Sequence, residues 1–304
     1  IAWAHGRAGR RPSAGFWAAV VGACGRAEEP FKPKELANIA WAAASLGERS
    51  EALQAAVERG IMEDPARMAA QDVANLAWAC ARTGLGSEAL IGAVEAQAVR
   101  LAAELSPQGL SNVLWASASL RRRRPLALLE ALEPHVLSAA GRGAFSPQGL
   151  VMVLRGYASR GRLRGRLAQE LARELEASAE DLTPQGLRYA ITAFAGVTGE
   201  SSTAAAGLLE RLRPLVEQRA AAFTLRELTQ VLRACARSGR AAPSLLSAIE
   251  AQLERAARGS TPEEVALAAR AISSASASSP GVEAALLPAP SPSDGIAGAR
   301  ASML

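Results

Sequence analysis

The chain has 304 residues, a formal net charge of +5, 49% hydrophobic residues and only 4% aromatic residues. Alanine makes up roughly a quarter of it, and the strand formers Val, Ile and Thr are sparse, which argues against a β-sandwich or barrel and for an all-α protein. No apolar run reaches the roughly 18 residues of a transmembrane helix. Three cysteines and two histidines are too few and too scattered for a disulfide framework or a His-based metal site.

A repeated segment determines the predicted fold. Leu36-Ala-Asn-Ile-Ala-Trp41 matches Val73-Ala-Asn-Leu-Ala-Trp78 and Leu110-Ser-Asn-Val-Leu-Trp115, and weaker copies end at Arg155, Thr192, Arg233 and Arg270. With Trp3 of Ile1-Ala-Trp-Ala, this marker position falls at 3, 41, 78, 115, 155, 192, 233 and 270, at spacings of 37 to 41 residues. Units of this length bury their apolar faces only against neighbouring units, so we predict a right-handed α-solenoid of about seven helix-turn-helix repeats.

Start and stop signals divide each repeat into two helices. The pairs Ser106-Pro107, Ser146-Pro147, Thr183-Pro184 and Thr261-Pro262 place a hydroxyl N-cap before proline at the first helical position. Thr224 with Glu227, and Thr261 with Glu264, have the spacing of a capping box. The first helix of each repeat carries the marker position and is called the marker helix. Glycines suited to a helix C-cap follow these marker helices at positions 47, 84, 161 and 239. Second helices are predicted at Glu88 to Glu104, Pro125 to Ala139, Leu163 to Ala179, Thr203 to Ala220 and Pro243 to Arg258.

These signals give the domain boundaries. Residues 1–31 are predicted to be a partial N-terminal repeat, and we expect the natural protein to extend upstream of it. Residues 32–272 form the solenoid, with repeats starting near 32, 69, 106, 146, 183, 224 and 261. Residues 273–304 are rich in Ser and Pro and are predicted to be a tail without its own fold.

The helical period sorts each marker helix into two faces. The residue five before the marker is Leu or Val, the residue one after it is Ala or Gly, and the residue three after it is Ala or Ser. These positions lie on one side of the helix, which is therefore predicted to face the core. The marker and the positions three before and four after it lie on the other side and change from repeat to repeat. Amides read base edges, aromatic and guanidinium planes stack on bases, and arginine neutralises phosphates. The predicted RNA-binding residues are Asn38, Trp41, Asn75, Trp78, Arg82, Asn112, Trp115, Arg155, Arg188, Tyr189, Gln230, Arg233, Arg237 and Arg270.

Each of these residue types also has a structural explanation. The tryptophans could wedge between adjacent repeats, and the asparagines could cap turns or bridge helices. Only Lys32 and Lys34 among the 34 basic residues are lysines, which reflects either GC-rich coding bias or selection for bidentate phosphate contact. Basic residues cluster at Arg121 to Arg124 and again between Arg155 and Arg166.

The sequence does not predict catalysis or a cofactor. Cys80 and Cys235 share a core-facing position two after the marker and are interpreted as small buried hydrophobes. Cys24 lacks a nearby ligand, and His135 is interpreted as a surface residue. The acidic residues Glu170, Glu174 and Glu176 are predicted to form a solvated face paired with Arg166 and Arg173.

The Leu-Ala-Asn-Ile-Ala-Trp-Ala and Pro-Gln-Gly-Leu elements, at this period, resemble the octotricopeptide repeats of algal organelles and the related heptatricopeptide repeats of apicomplexans. The resemblance covers residues 1 to about 272 and weakens after residue 150, where the Trp is replaced. It implies a soluble mitochondrial or plastid protein that contacts single-stranded or ribosomal RNA through its first helices. Such proteins act in transcript maturation, stability, translation or ribosome assembly. They contact ribosomal proteins in some cases, and neither membrane insertion nor a small-molecule substrate is implied.

A protein-binding scaffold is the alternative function. The same array of helices would clamp a peptide or a large assembly without reading RNA. The apolar side chains Met152 and Leu267, on the variable face, favour this alternative slightly.

Overall fold

A computed structural model describes residues 1–13, 15–26, 31–120, 126–238, 243–256 and 261–278. These residues form fifteen α-helices, short 3-10 turns and no β-strand, which confirms the predicted all-α class. None of the described helices is long and apolar enough to cross a bilayer. The Arg121 to Arg124 run, Gly239 and the predicted tail after residue 278 lie outside the described residues.

The helices follow one another with short connections. Their bounds are α1 Ala2–Ala8, α2 Phe16–Arg26, α3 Pro33–Ser45, α4 Glu51–Glu63, α5 Ala70–Thr83, α6 Glu88–Arg100, α7 Pro107–Ser119, α8 Ala127–Ala140, α9 Pro147–Ala158, α10 Gly165–Ala177, α11 Pro184–Phe194, α12 Ser202–Gln218, α13 Leu225–Arg237, α14 Pro243–Ala256 and α15 Pro262–Ser278. The last helix therefore continues beyond the predicted boundary at residue 272, because the Ala- and Ser-rich segment that follows contains no helix breaker before Pro280.

The chain divides into two compact units. Unit 1 comprises Ile1–Leu182 and Val197–Leu208, and unit 2 comprises Thr183–Gly196 and Leu209–Leu304. In unit 1 the marker helices α1, α3, α5, α7 and α9 pack each against the next, and α2, α4, α6, α8 and α10 form a second layer that packs in the same order. In unit 2, α11 packs on α13, α13 packs on α15, and α14 contacts both α13 and α15. Sequential packing of this kind is typical of helical repeats.

The predicted N-caps start the marker helices. Ser106, Ser146 and Thr183 each accept a hydrogen bond from the backbone N–H three residues later, and proline occupies the first turn in every case. Thr224 and Thr261 form the predicted capping boxes with Glu227 and Glu264. These caps satisfy backbone donors that have no partner within the helix. The start signals are therefore confirmed.

A buried apolar residue precedes the first helical turn of several marker helices, and the sequence pattern alone did not reveal it. It sits just before the N-cap, where such a residue packs back onto the helix and fixes the direction in which the chain enters. Several of these residues follow a 3-10 turn at the end of a second helix. The members are Met68, Leu105, Phe145, Leu182 and Phe223, all at most 7% exposed.

The core stripe predicted for the marker helices is largely correct. The residues five before the marker are buried from Leu36 to Leu228, whereas Val265 is 40% exposed because no described helix follows α15 to cover it. Cys80 and Cys235 are both buried, as predicted. Tyr157, at the same register position, is fully buried and its hydroxyl donates to the Leu129 carbonyl at 3.0 Å. The Tyr157 side chain thus joins α9 to α8, the second helix of the preceding repeat.

Small residues let the marker helices approach closely. In α3, α5, α7 and α9 the residue after the marker is Ala42, Ala79, Ala116 or Gly156, and the three alanines are at most 3% exposed. A Cβ atom on Gly156 would lie 2.9 Å from the Leu114 Cβ and 3.1 Å from the Leu114 carbonyl oxygen. The contact includes backbone, so the neighbouring helix must move to accommodate any larger residue.

The substitution Gly156→Ala should therefore destabilise the protein despite the higher helix propensity of alanine. Overpacking of this kind costs about 1–3 kcal/mol, which urea unfolding followed by circular dichroism would measure. Gly92 on α6 is the matched control, since a Cβ there meets nothing within 4 Å. Gly92→Ala should stabilise the protein by about 0.5–1 kcal/mol, and equal effects of the two substitutions would refute the close approach of α7 and α9.

Candidate nucleic-acid interface

Three of the four marker tryptophans of unit 1 form a ladder across neighbouring helices. The ring centroids of Trp41 and Trp78 are 6.2 Å apart with planes inclined by 37°, and those of Trp78 and Trp115 are 6.5 Å apart and inclined by 33°. Each ring is half-buried. The indoles thus pack against each other between repeats while part of each surface stays in contact with solvent.

Amide side chains form a second row beside the ladder. Gln71 Nε2 donates to Asn75 Oδ1 at 2.9 Å, and Asn75 Nδ2 donates to Asn38 Oδ1 at 3.4 Å. The second bond joins α5 to α3, so these asparagines bridge helices. Asn75 and Asn112 are only 9% and 8% exposed, whereas Asn38 is half-buried. The asparagine row is therefore partly committed to holding the repeats together.

A cleft of about 540 Å³ opens beside the two rows. This volume lies within the range of about 300–1,000 Å³ that is usual for ligand sites. The first turns of α7 and α9 form part of its wall, and the loop that leads into α9 forms another part. Its described lining contains no charged residue and consists of Trp41, Trp78, Pro107, Gln108, Ser111, Asn112, Ala144, Phe145, Ser146, Gln148, Gly149 and Met152.

The glutamines of this cleft were missed by the sequence reasoning. Gln108 and Gln148 lie seven residues before the marker, two helical turns away on the same face, and both are exposed. The same register position carries Lys34, Gln71, Gln185, Arg226 and Glu263 in other repeats, and these are exposed as well. A polar residue recurring at this position within Pro-Gln-Gly-Leu was the signal that could have identified it.

In unit 2 the corresponding residues form a polar cluster. Arg188 donates to Gln230 Oε1 at 2.9 Å, its Nε lies 3.7 Å from a carboxylate oxygen of Glu227, and its guanidinium carbon lies 4.0 Å from the centre of the Tyr189 ring. The Arg188 side chain is only 13% exposed. Its charge is thus largely offset by Glu227, and it orients Gln230 and Tyr189.

The remaining predicted arginines differ in accessibility. Arg82 in unit 1 and Arg233, Arg237 and Arg270 in unit 2 are exposed on marker helices, whereas Arg155 is half-buried. Exposed guanidiniums at successive register positions supply the positive charge that an anionic polymer requires.

The wall of the cleft is fixed from behind by a buried carboxylate. Glu174 on α10 is 6% exposed, and its Oε1 accepts a hydrogen bond from the Phe145 backbone N–H at 3.1 Å. The prediction that Glu174 lies on a solvated face was therefore wrong, because its position on α10 turns towards α9 rather than outward. The predicted pairing of Glu170 with Arg173 is confirmed at 2.9 Å.

Burial raises the pKa of the Glu174 carboxyl above its ordinary value, although the Phe145 N–H and the Arg173 guanidinium act in the opposite direction. The folded state then binds the proton more tightly than the unfolded chain, so this group lowers folded stability as the pH rises above about 4.5. Glu174→Gln, which keeps an acceptor for Phe145, should stabilise the protein at pH 7 but not at pH 4.

Urea unfolding at both pH values measures this difference. Glu170→Gln is the control, because it removes a surface ion pair and should be neutral or slightly destabilising at pH 7. Equal stability of wild type and Glu174→Gln at pH 7 would show that burial imposes no such cost.

No known family model matches the chain, and no curated protein sequence is significantly similar to it. Within the described part of the chain, no group of three or more His, Cys, Asp or Glu residues is placed to hold a metal ion.

Proposed function

We propose that this chain is an RNA-binding helical-repeat protein of a mitochondrion or plastid, of the octotricopeptide or heptatricopeptide type. It acts in transcript maturation, stability or translation, or as an rRNA-binding component of an organellar ribosome. In this proposal, the helices together form a right-handed α-solenoid of about seven repeats. RNA lies along the marker helices, which present the variable residues.

The observation that carries this proposal is the row of indoles and amides that opens into an uncharged cleft of unit 1. Single-stranded RNA is recognised by proteins through stacking on aromatic rings and hydrogen bonds to exposed base edges. An aromatic surface beside primary amides supplies both kinds of contact. The exposed arginines of the marker helices supply phosphate contacts, and the net charge of +5 favours an anionic partner.

The arginines of unit 2 test the phosphate contacts. The triple substitution of Arg233, Arg237 and Arg270 to Glu should weaken binding of a fluorescein-labelled single-stranded RNA by at least about tenfold at 0.1 M salt. Each lost phosphate contact should also reduce the slope of log affinity against log salt by about 0.7, so the slope becomes shallower by about 2. Fluorescence anisotropy at several salt concentrations measures both quantities.

A triple variant of second-helix arginines is the matched control. Arg59, Arg166 and Arg255 are exposed on α4, α10 and α14, and their substitution by Glu changes the net charge equally. This control should retain most of the affinity and nearly the full salt slope. If both triple variants lose affinity equally, the attraction is a non-specific effect of net charge and the marker helices do not form the interface.

A protein-binding scaffold is the second candidate function. Its support is that the described lining of the cleft carries no charge and includes Met152 and Phe145. Primary amides also bond to the backbone of an extended peptide. Undetectable RNA binding at low salt by the purified chain, together with a defined protein partner that survives RNase and is lost in Trp78→Ala, would select this function.

A further inference from the structure

The cleft of unit 1 has an unusual chemical composition for a surface that meets RNA, since it combines two indoles and three primary amides without a charged side chain. We propose that this cleft binds adenine bases of single-stranded RNA in preference to other bases. The inference rests on the proposed RNA-binding function and adds the identity of the base to it.

The amides select the hydrogen-bonding edge. Gln108 and Gln148 lie in the first turns of the adjacent helices α7 and α9, and Asn112 lies one turn after Gln108. A primary amide presents one donor and one acceptor side by side, which matches the N7 acceptor and the N6 amino donor of adenine. Guanine is typically bound by a guanidinium or ammonium group and cytosine by a carboxylate, and the described lining of the cleft contains neither.

The two serine hydroxyls of the lining are already engaged. The Ser111 hydroxyl lies 3.0 Å from the Pro107 carbonyl and 3.1 Å from the Gly149 carbonyl, and Ser146 Oγ accepts the Gly149 N–H at 3.1 Å. These bonds belong to the caps and to the contact between α7 and α9. The amides, rather than these hydroxyls, therefore offer paired donors and acceptors to a base.

The hydrogen-bonding edge of uracil can also pair with a primary amide, so the amides alone do not separate uracil from adenine. Stacking on the indoles favours adenine. Trp41 and Trp78 both line the cleft, and a bicyclic purine covers more of an indole than a pyrimidine does. The cleft volume of about 540 Å³ also accommodates the larger base. Aromatic area and edge pattern thus point to the same base.

The direct test compares decamers of adenosine, cytidine and uridine, each labelled with fluorescein, for binding to the full chain. The adenosine decamer should bind at least about tenfold more tightly than the cytidine decamer. A decamer of 7-deazaadenosine, which lacks the N7 acceptor, should lose most of that advantage. Equal binding of the decamers would overturn the adenine preference and leave RNA binding intact, whereas no binding of any decamer at low salt would overturn RNA binding itself.

The glutamines provide a second test that does not depend on absolute affinity. In the double variant Gln108→Glu, Gln148→Glu the side chains no longer donate but accept from the cytosine amino group, so the ratio of adenosine to cytidine affinity should fall at least about tenfold. Gln169→Glu on α10 is exposed and introduces the same kind of charge on a second helix, so it should leave the ratio unchanged. An unchanged ratio in the folded double variant, with folding checked by circular dichroism, would overturn the inference.

Discussion

The close approach of successive marker helices is the constraint on which the candidate site depends. Ala42, Ala79, Ala116 and Gly156 leave little more than backbone between one marker helix and the next. The ring spacings of 6.2 and 6.5 Å in the tryptophan ladder follow from this packing, because equivalent residues on adjacent helices repeat at the helix separation. A wider separation would break the amide bridge between Asn75 and Asn38 and open the ladder.

The exposed arginines and the aromatic and amide side chains of the cleft lie at different places on the marker helices. The cleft of unit 1 is lined by described residues that carry no charge, whereas the exposed arginines of the marker helices lie at Arg82 and, in unit 2, at Arg233, Arg237 and Arg270. Phosphate contacts add affinity but do not depend on the base sequence, whereas base contacts determine which sequence is bound. Under the proposed function, substitutions in the two sets should therefore change different properties of the complex.

The features that were predictable from sequence are those governed by local chemistry. Caps such as Ser146 and Thr224 depend on residues within one turn, and buried positions such as Cys80 follow from the helical period. The helical starts, the all-α class and most of the core were therefore accessible to sequence reasoning. The candidate site was accessible only in part, since the period identified the tryptophans and asparagines as one face without showing which of them form a cleft.

The features that were missed depend on neighbouring elements. Glu174 was assigned to the surface because its own helix is highly charged, yet it is buried where α10 meets the loop before α9. Arg188 was predicted as an RNA contact. Its ion pair with Glu227 was not foreseen, because Glu227 lies on a different helix. Gln108 and Gln148 gain significance only because the first turns of α7 and α9 converge on the same cleft. Such relationships arise from tertiary packing and cannot be obtained from the period alone.

The similarity of the junctions between repeats has an evolutionary consequence. In unit 1, α7 and α9 begin with the same kind of cap, and α5, α7 and α9 each pack on the preceding marker helix and carry a small buried residue after the marker, so these junctions are chemically similar. Recombination that duplicates or deletes one whole repeat joins compatible surfaces and leaves no unpaired core. The length of the binding surface can therefore change by one whole repeat at a time during evolution, without passing through an unstable intermediate.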